Sequence, residues 1–126
     1  MHELSWHIDN KVILLHIQSE LKIEDLSILD KQIKAMLDAG NAPVHLIYQS
    51  EDVDTPKDIA QVAKRLTFLK HQNCSWIITL GSNILITFIG RVVTNLSHIK
   101  LKAVPNIEEA DKFLSKFDTN IVASTS

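Results

Sequence analysis

Residues Pro43 to Leu69, PVHLIYQSEDVDTPKDIAQVAKRLTFL, decide how the rest of the chain is read. Val44, His45, Leu46, Ile47 and Tyr48 form an apolar run rich in β-formers. They follow the turn signal Gly40-Asn41-Ala42-Pro43, which together predicts a short buried strand. Ser50-Glu51-Asp52-Val53-Asp54 is too polar to extend that strand and predicts an acidic loop. Thr55 reads as an N-cap, Pro56 suits the first helical position, and Asp58 stands at capping-box spacing. A helix is therefore expected from Pro56 to about Lys70. Ile59, Val62, Ala63, Leu66 and Leu69 make its buried stripe, with Phe68, Lys57, Lys64 and Arg65 on the outer side. A strand that ends in a loop at a helix N-terminus is where α/β proteins usually hold ligands. This loop carries acids and one hydroxyl, without a glycine-rich cradle.

Before it, Leu4, Trp6 and Ile8 alternate with Ser5, His7 and Asp9, and Val12 to Ile17 (VILLHI) follows the turn pair Asp9-Asn10. The two runs predict an antiparallel hairpin. Ile23 to Ala39 changes to a helical period: Ile23, Leu26, Leu29, Ile33, Met36 and Leu37 fall on an arc of about 140°, with Gly40 as C-cap. After it, Trp76 to Leu80 predicts another strand, and Gly81-Ser82-Asn83 turns into a helix running to about Leu96. Ile99 to Val104, with Lys100 and Lys102 alternating, reads as an edge strand. Pro105-Asn106 leads to a last helix, Ile107 to Phe117, with Ile107, Ala110, Phe113, Leu114 and Phe117 on one face. Asp118 to Ser126 is expected to be a disordered tail. The order β-β-α-β-α-β-α-β-α predicts an α/β fold. Its sheet is mixed, mainly parallel and five-stranded, with four helices and right-handed crossovers, and its first strand is antiparallel.

The chain has 126 residues, which suits one domain over residues 1–117. Thirteen basic and 15 acidic residues leave a net charge of -2, without the basic surplus of a dedicated nucleic-acid binder. The apolar run from Ile84 to Ile89 is far too short to span a bilayer. No signal peptide opens the sequence, and the single Cys74 forms no internal disulfide, so a cytoplasmic location is expected. Only Lys70 and His71 are near Cys74 in sequence, which predicts an inert thiol.

Three stretches together resemble the STAS-like family, the fold of anti-sigma-factor antagonists and of sulphate-transporter cytosolic domains. They are LSWHIDNKVILLHI with helix IEDLSILDKQIKAML, then VHLIYQSEDVDTPKDIAQVAKRL, and finally IKLKAVPNIEEADKFL. The likeness covers about residues 3 to 117. It implies a right-handed β-α superhelix with an N-terminal antiparallel strand. In antagonist members, Asp-Ser-Ser-Gly follows the third strand and a serine there is phosphorylated by a partner kinase. The matching residues here are Asp54-Thr55-Pro56-Lys57. Asp54 keeps the acid and Thr55 a hydroxyl, while Pro56 and Lys57 stand where the family has small residues. The resemblance thus implies Thr55 as a regulatory phosphosite and Ser50, Asp52, Asp54 and Thr55 as a partner-binding loop. A structural cap is the competing role for Thr55.

No catalytic constellation is visible: G-x-S-x-G, G-x-x-x-x-G-K-[ST] and H-E-x-x-H are missing, so no enzyme, cofactor or metal is expected. His7, His16 and His45 fall on three expected strands, the first two adjacent in the hairpin. They would bind a metal or sense protons only if register brought all three together. The strongest anomaly is the helix after Gly81. Ile84, Leu85, Ile86, Phe88, Ile89, Val92, Val93 and Leu96 spread over about 200°, more than one sheet contact buries. Ile84, Ile86, Phe88 and Val93 therefore need another surface: a neighbouring helix, a second subunit or an apolar ligand. The expected function is a non-enzymatic regulatory or protein-interaction module that forms a homodimer through this helix. The alternative is a carrier of a small apolar ligand or lipid, since the resemblance also implies kinship in fold with lipid-binding domains.

Overall fold

The computed structural model describes residues 2–17, 23–50, 65–80 and 99–117. They form strands β1 (His2–Ile8), β2 (Val12–Ile17), β3 (Val44–Ser50), β4 (Cys74–Leu80) and β5 (Lys100–Val104), helices α1 (Ile23–Ala39) and α2 (Ile107–Phe117), and a 3-10 turn over Thr67–Lys70. The five strands make one sheet in the order β1-β2-β3-β4-β5. β1 is antiparallel to β2, and every later pairing is parallel. The mixed, mainly parallel α/β sheet expected from the pattern is present, with β1 placed as the hairpin requires.

Each face of the sheet carries its own apolar layer. Ile13, Leu15 and Ile17 of β2, Leu46 of β3 and Ile77 of β4 face one way and pack with Leu29, Ile33 and Leu37 of α1. Val12, Ile47, Ile78 and Val104 face the other way and meet Ala110 and Leu114 of α2. Covering on both sides explains why β2, β3 and β4 read as nearly continuous apolar runs instead of alternating ones. Each fully buried Ile or Leu contributes about 2 kcal/mol, so the two layers together dominate the stability of the sheet.

Turn chemistry sets the hairpin. Asn10 has φ 61°, in the left-handed region that Asn tolerates better than most residues, and Lys11 N–H donates to Ile8 O at 3.0 Å. Asn41 N–H donates to Asn10 O, and the buried Lys11 donates its Nζ to Asn41 O. The hairpin is thereby fastened to the chain that leaves α1. Gly40 N–H donates to Met36 O, closing α1 where expected. Its backbone is not left-handed, so the reason for glycine is space and not the usual C-cap conformation. A Cβ there would meet Val44 Cγ2 at 2.8 Å and Trp6 Cη2 at 3.0 Å.

Several sequence expectations need correction. Four helices were expected and two α-helices are found among the described residues. Most of the Pro56–Lys70 helix and all of the Asn83–Leu96 helix lie outside them. The described end of the first of these is not a continuous α-helix: Arg65 is helical, Leu66 leaves with ψ 64°, and Thr67–Lys70 is a 3-10 turn. That break reverses the assignment of Phe68, which is buried against the α1 layer and not on an outer face. Arg65 is drawn in as well, donating to Ser27 Oγ at 3.1 Å. β3 continues to Ser50 because it is paired on both sides, with Ile17 opposite Ser50 and Leu80 opposite Gln49. β4 starts earlier than Trp76, at Cys74, whose partner is Val44. Phe117 shares a face with Phe113 as expected but is 57% exposed. The expected tail, residues 118–126, is outside the described residues.

Candidate functional site

Parallel strands end together at one edge of a sheet, and the chain that leaves that edge is where an α/β protein collects functional groups. Here Ile17 pairs with Ser50, Gln49 with Leu80, and Leu80 with Val104. The ends of β2, β3, β4 and β5 are therefore neighbours. The acidic segment that starts at Glu51, the segment that starts at Gly81 and the Pro105-Asn106 link all depart from this edge. Of the expected partner-binding loop, Ser50 is the last residue of β3, while Asp52, Asp54 and Thr55 lie outside the described residues. Ile84, Ile86, Phe88 and Val93, the expected self-association or ligand face, lie outside them also.

The histidines do not converge. β1 and β2 are adjacent as expected, but His16 stands opposite Glu3 and His7 is the extra residue in an irregularity between Trp6 and Ile8, so the register does not bring the two histidines together. The bulge aims His7 at α2, where its Nε2 lies 2.7 Å from Asp111 Oδ1. Asp111 is buried, and the bond holds α2 to the hairpin. His45 serves a second irregularity. Val44 pairs with Cys74 but Leu46 with Ile77, leaving one extra residue in β4. The buried His45 ring accepts the Trp76 N–H through Nδ1 at 3.3 Å. Among the described residues no three His, Cys, Asp or Glu side chains form a metal-binding group.

Two further polar clusters lie around α1. Asp30, buried, accepts the Phe68 N–H through Oδ1 at 2.7 Å and the Thr67 hydroxyl through Oδ2 at 2.6 Å, with Lys34 Nζ 3.5 Å away. This carboxylate replaces the hydrogen bonds that the chain loses where the helix breaks at Leu66. His71 Nε2 lies 2.6 Å from Asp38 Oδ1, and its Nδ1 accepts the Asn73 N–H. A histidine-carboxylate pair needs a nucleophile to do acyl chemistry, and the nearest thiol, Cys74, is buried and pushed up to about 12 by desolvation. It is a core residue. The Thr79 hydroxyl is buried with no hydrogen-bond partner among the described residues, and strand alternation puts it on the α1 side of the sheet, next to the C-terminal edge.

A surface that the sequence reading did not single out lies between β5 and α2. Lys100 and Lys102 share a strand face with Val104. Lys112-Phe113-Leu114-Ser115-Lys116-Phe117 brings two lysines and two aromatic rings to successive turns of α2. Trp76 of β4 joins the rings. The visible signal is the repeat of Lys-Phe at a spacing of four, Lys112-Phe113 and Lys116-Phe117, which an apolar-stripe pattern splits between core and solvent.

No protein-family model matches the chain, and no curated protein matches its sequence. No described helix is long and apolar enough to cross a membrane.

Proposed function

We propose that this chain is a non-enzymatic, STAS-like regulatory module that works by binding another protein. The observation that carries this reading is the sequential strand order with an antiparallel first strand, together with an acidic segment that begins where β3 ends. The same arrangement of hairpin, strand and acidic stretch underlies the resemblance drawn from the sequence. In this reading Ser50, Asp52, Asp54 and Thr55 face the partner and Thr55 is the switch. If the helix expected from Pro56 forms there, backbone N–H groups and the helix dipole at its start favour the negative charge of a phosphate. The apolar stretch with Ile84, Ile86, Phe88 and Val93 joins two copies in a cytoplasmic homodimer, and no cofactor is involved.

Mass spectrometry of the chain purified from its own kind of host tests the switch. A phosphate-sized increment is expected, mapped to Thr55 and lost in Thr55→Ala. An increment located elsewhere, or none under any growth condition, would remove Thr55 from that role.

A carrier of a small apolar ligand is the second reading. The Thr79 hydroxyl, without a partner among the described residues, favours it, because a buried group of that kind gains from a polar atom brought by a ligand. Thr79 is one residue from Leu80, beyond which the surplus apolar stretch begins. A co-purifying apolar molecule that is lost in Thr79→Val would favour the carrier over the interaction module.

A further inference from the structure

Lys102 and Val104 of β5 and Glu109, Lys112, Phe113 and Lys116 of α2 line an open cleft of about 300 Å³. Beside it Trp76, Phe113 and Phe117 pack together, with ring centroids 4.7, 5.1 and 4.7 Å apart. Lys100 Nζ lies 5.6 Å from the centre of the Trp76 ring, and Lys102 Nζ lies 5.5 Å from that of Phe113. Lysines on an outer strand ordinarily keep sheets from pairing edge to edge, which accounts for Lys100 and Lys102. It does not account for Lys112 and Lys116, which come from a different element and line the cleft together with Lys102. Four lysines gathered here reverse the sign of a chain whose net charge is -2. Among the described residues the one acid lining the cleft is Glu109, which meets Lys112 at 3.5 Å in an exposed pair, a weak neutralisation. Phe117 adds an exposed apolar rim.

We propose that this cleft docks a short acidic peptide segment of a partner protein. Its carboxylates lie against Lys102, Lys112 and Lys116, and an apolar side chain packs on Phe117. Ammonium groups are point charges that accept carboxylates from several directions, which suits an irregular acidic segment better than a fixed bidentate one. A nucleic acid fits less well. The negative chain repels a long polyanion beyond the patch, and Lys100 and Lys102 already cover ring faces on which bases would stack. The inference goes beyond the reading above. It involves neither Thr55 nor the stretch from Ile84 to Val93, so either can fail alone.

The test is an NMR titration of the isotope-labelled full chain with a peptide of Glu and Asp around one central Leu, beside a short oligothymidylate and inorganic phosphate. Saturable shifts confined to the backbone of Lys100–Val104 and Lys112–Phe117 and to the Trp76 indole are expected with the peptide. The combined Lys102→Glu, Lys112→Glu and Lys116→Glu variant should weaken the peptide about tenfold or more without disturbing the rest of the spectrum. The matching Lys→Arg variant should keep binding. If the glutamate variant loses its native spectrum, Lys112→Gln with Lys116→Gln, both on the exposed side of α2, gives the same comparison. Shifts elsewhere, unchanged affinity in the charge variants, or equal binding of oligothymidylate or phosphate at the same residues would overturn the proposal.

Discussion

At the scale of single residues, the chain uses its polar side chains to repair irregular backbone. His45 takes the N–H that the extra residue in β4 leaves, and Asp30 takes the one left by the break at Leu66. Neither role was legible in sequence, because a one-residue shift in register depends on what the neighbouring strand pairs with and leaves no local pattern. Cys74 was legible: few bases surround it, and the structure buries it in the α1 layer. Burial holds its pKa near 12, above the ordinary 9.0, so the folded form disfavours the thiolate. The sign follows: below pH 9 both states keep the proton and Cys74 costs nothing, whereas between pH 9.0 and about 12 the unfolded chain ionises first and stability falls. Thiol-specific labelling at pH 8 should therefore be slow in the native chain, about a hundredfold slower than in urea. Equal rates would mean that Cys74 is accessible, contrary to the packing described.

At the scale of elements, α1 was read from sequence with its observed limits, Ile23–Ala39, because its apolar arc is narrow and Gly40 closes it. The last helix was equally plain over Ile107–Phe117, and Asn106 caps it by accepting the Glu109 N–H through Oδ1 at 2.9 Å. The stretch Arg65 to Lys70 was misread since its apolar residues continue a helical period while the backbone does not. Phe68 enters the core through the 3-10 turn, and Asp30 holds that turn to α1. Replacing Asp30 by Ala leaves the Phe68 N–H buried without an acceptor and should cost about 2–3 kcal/mol in urea unfolding. The Lys34→Ala change, at an exposed partner of the same carboxylate, should cost under about 1 kcal/mol. Similar losses for the two variants would show that the exposed ion pair, and not the buried acceptor, fastens the turn.

At the scale of the molecule, the strand directions followed from connection lengths: a tight turn forces β1 antiparallel, and longer links permit the parallel pairings that follow. The order of the strands across the sheet left no such signal. The candidate site was less legible. The end of the third strand could be placed near Tyr48, and β3 runs on to Ser50 beside β4, but an acidic loop without a catalytic motif does not announce its partner. The lysine and ring cluster needed three dimensions to be seen, because Trp76 is far in sequence from Phe113 and Phe117. Association is the property on which the interaction-module reading depends most. Native mass spectrometry of the purified full chain, run beside Phe88→Glu and Val93→Glu, measures it directly. A dimer for the parent chain and soluble monomers for both variants are the predicted results. A parent chain that is monomeric at micromolar concentration, or variants that remain dimeric, would contradict a self-associating module built on that stretch.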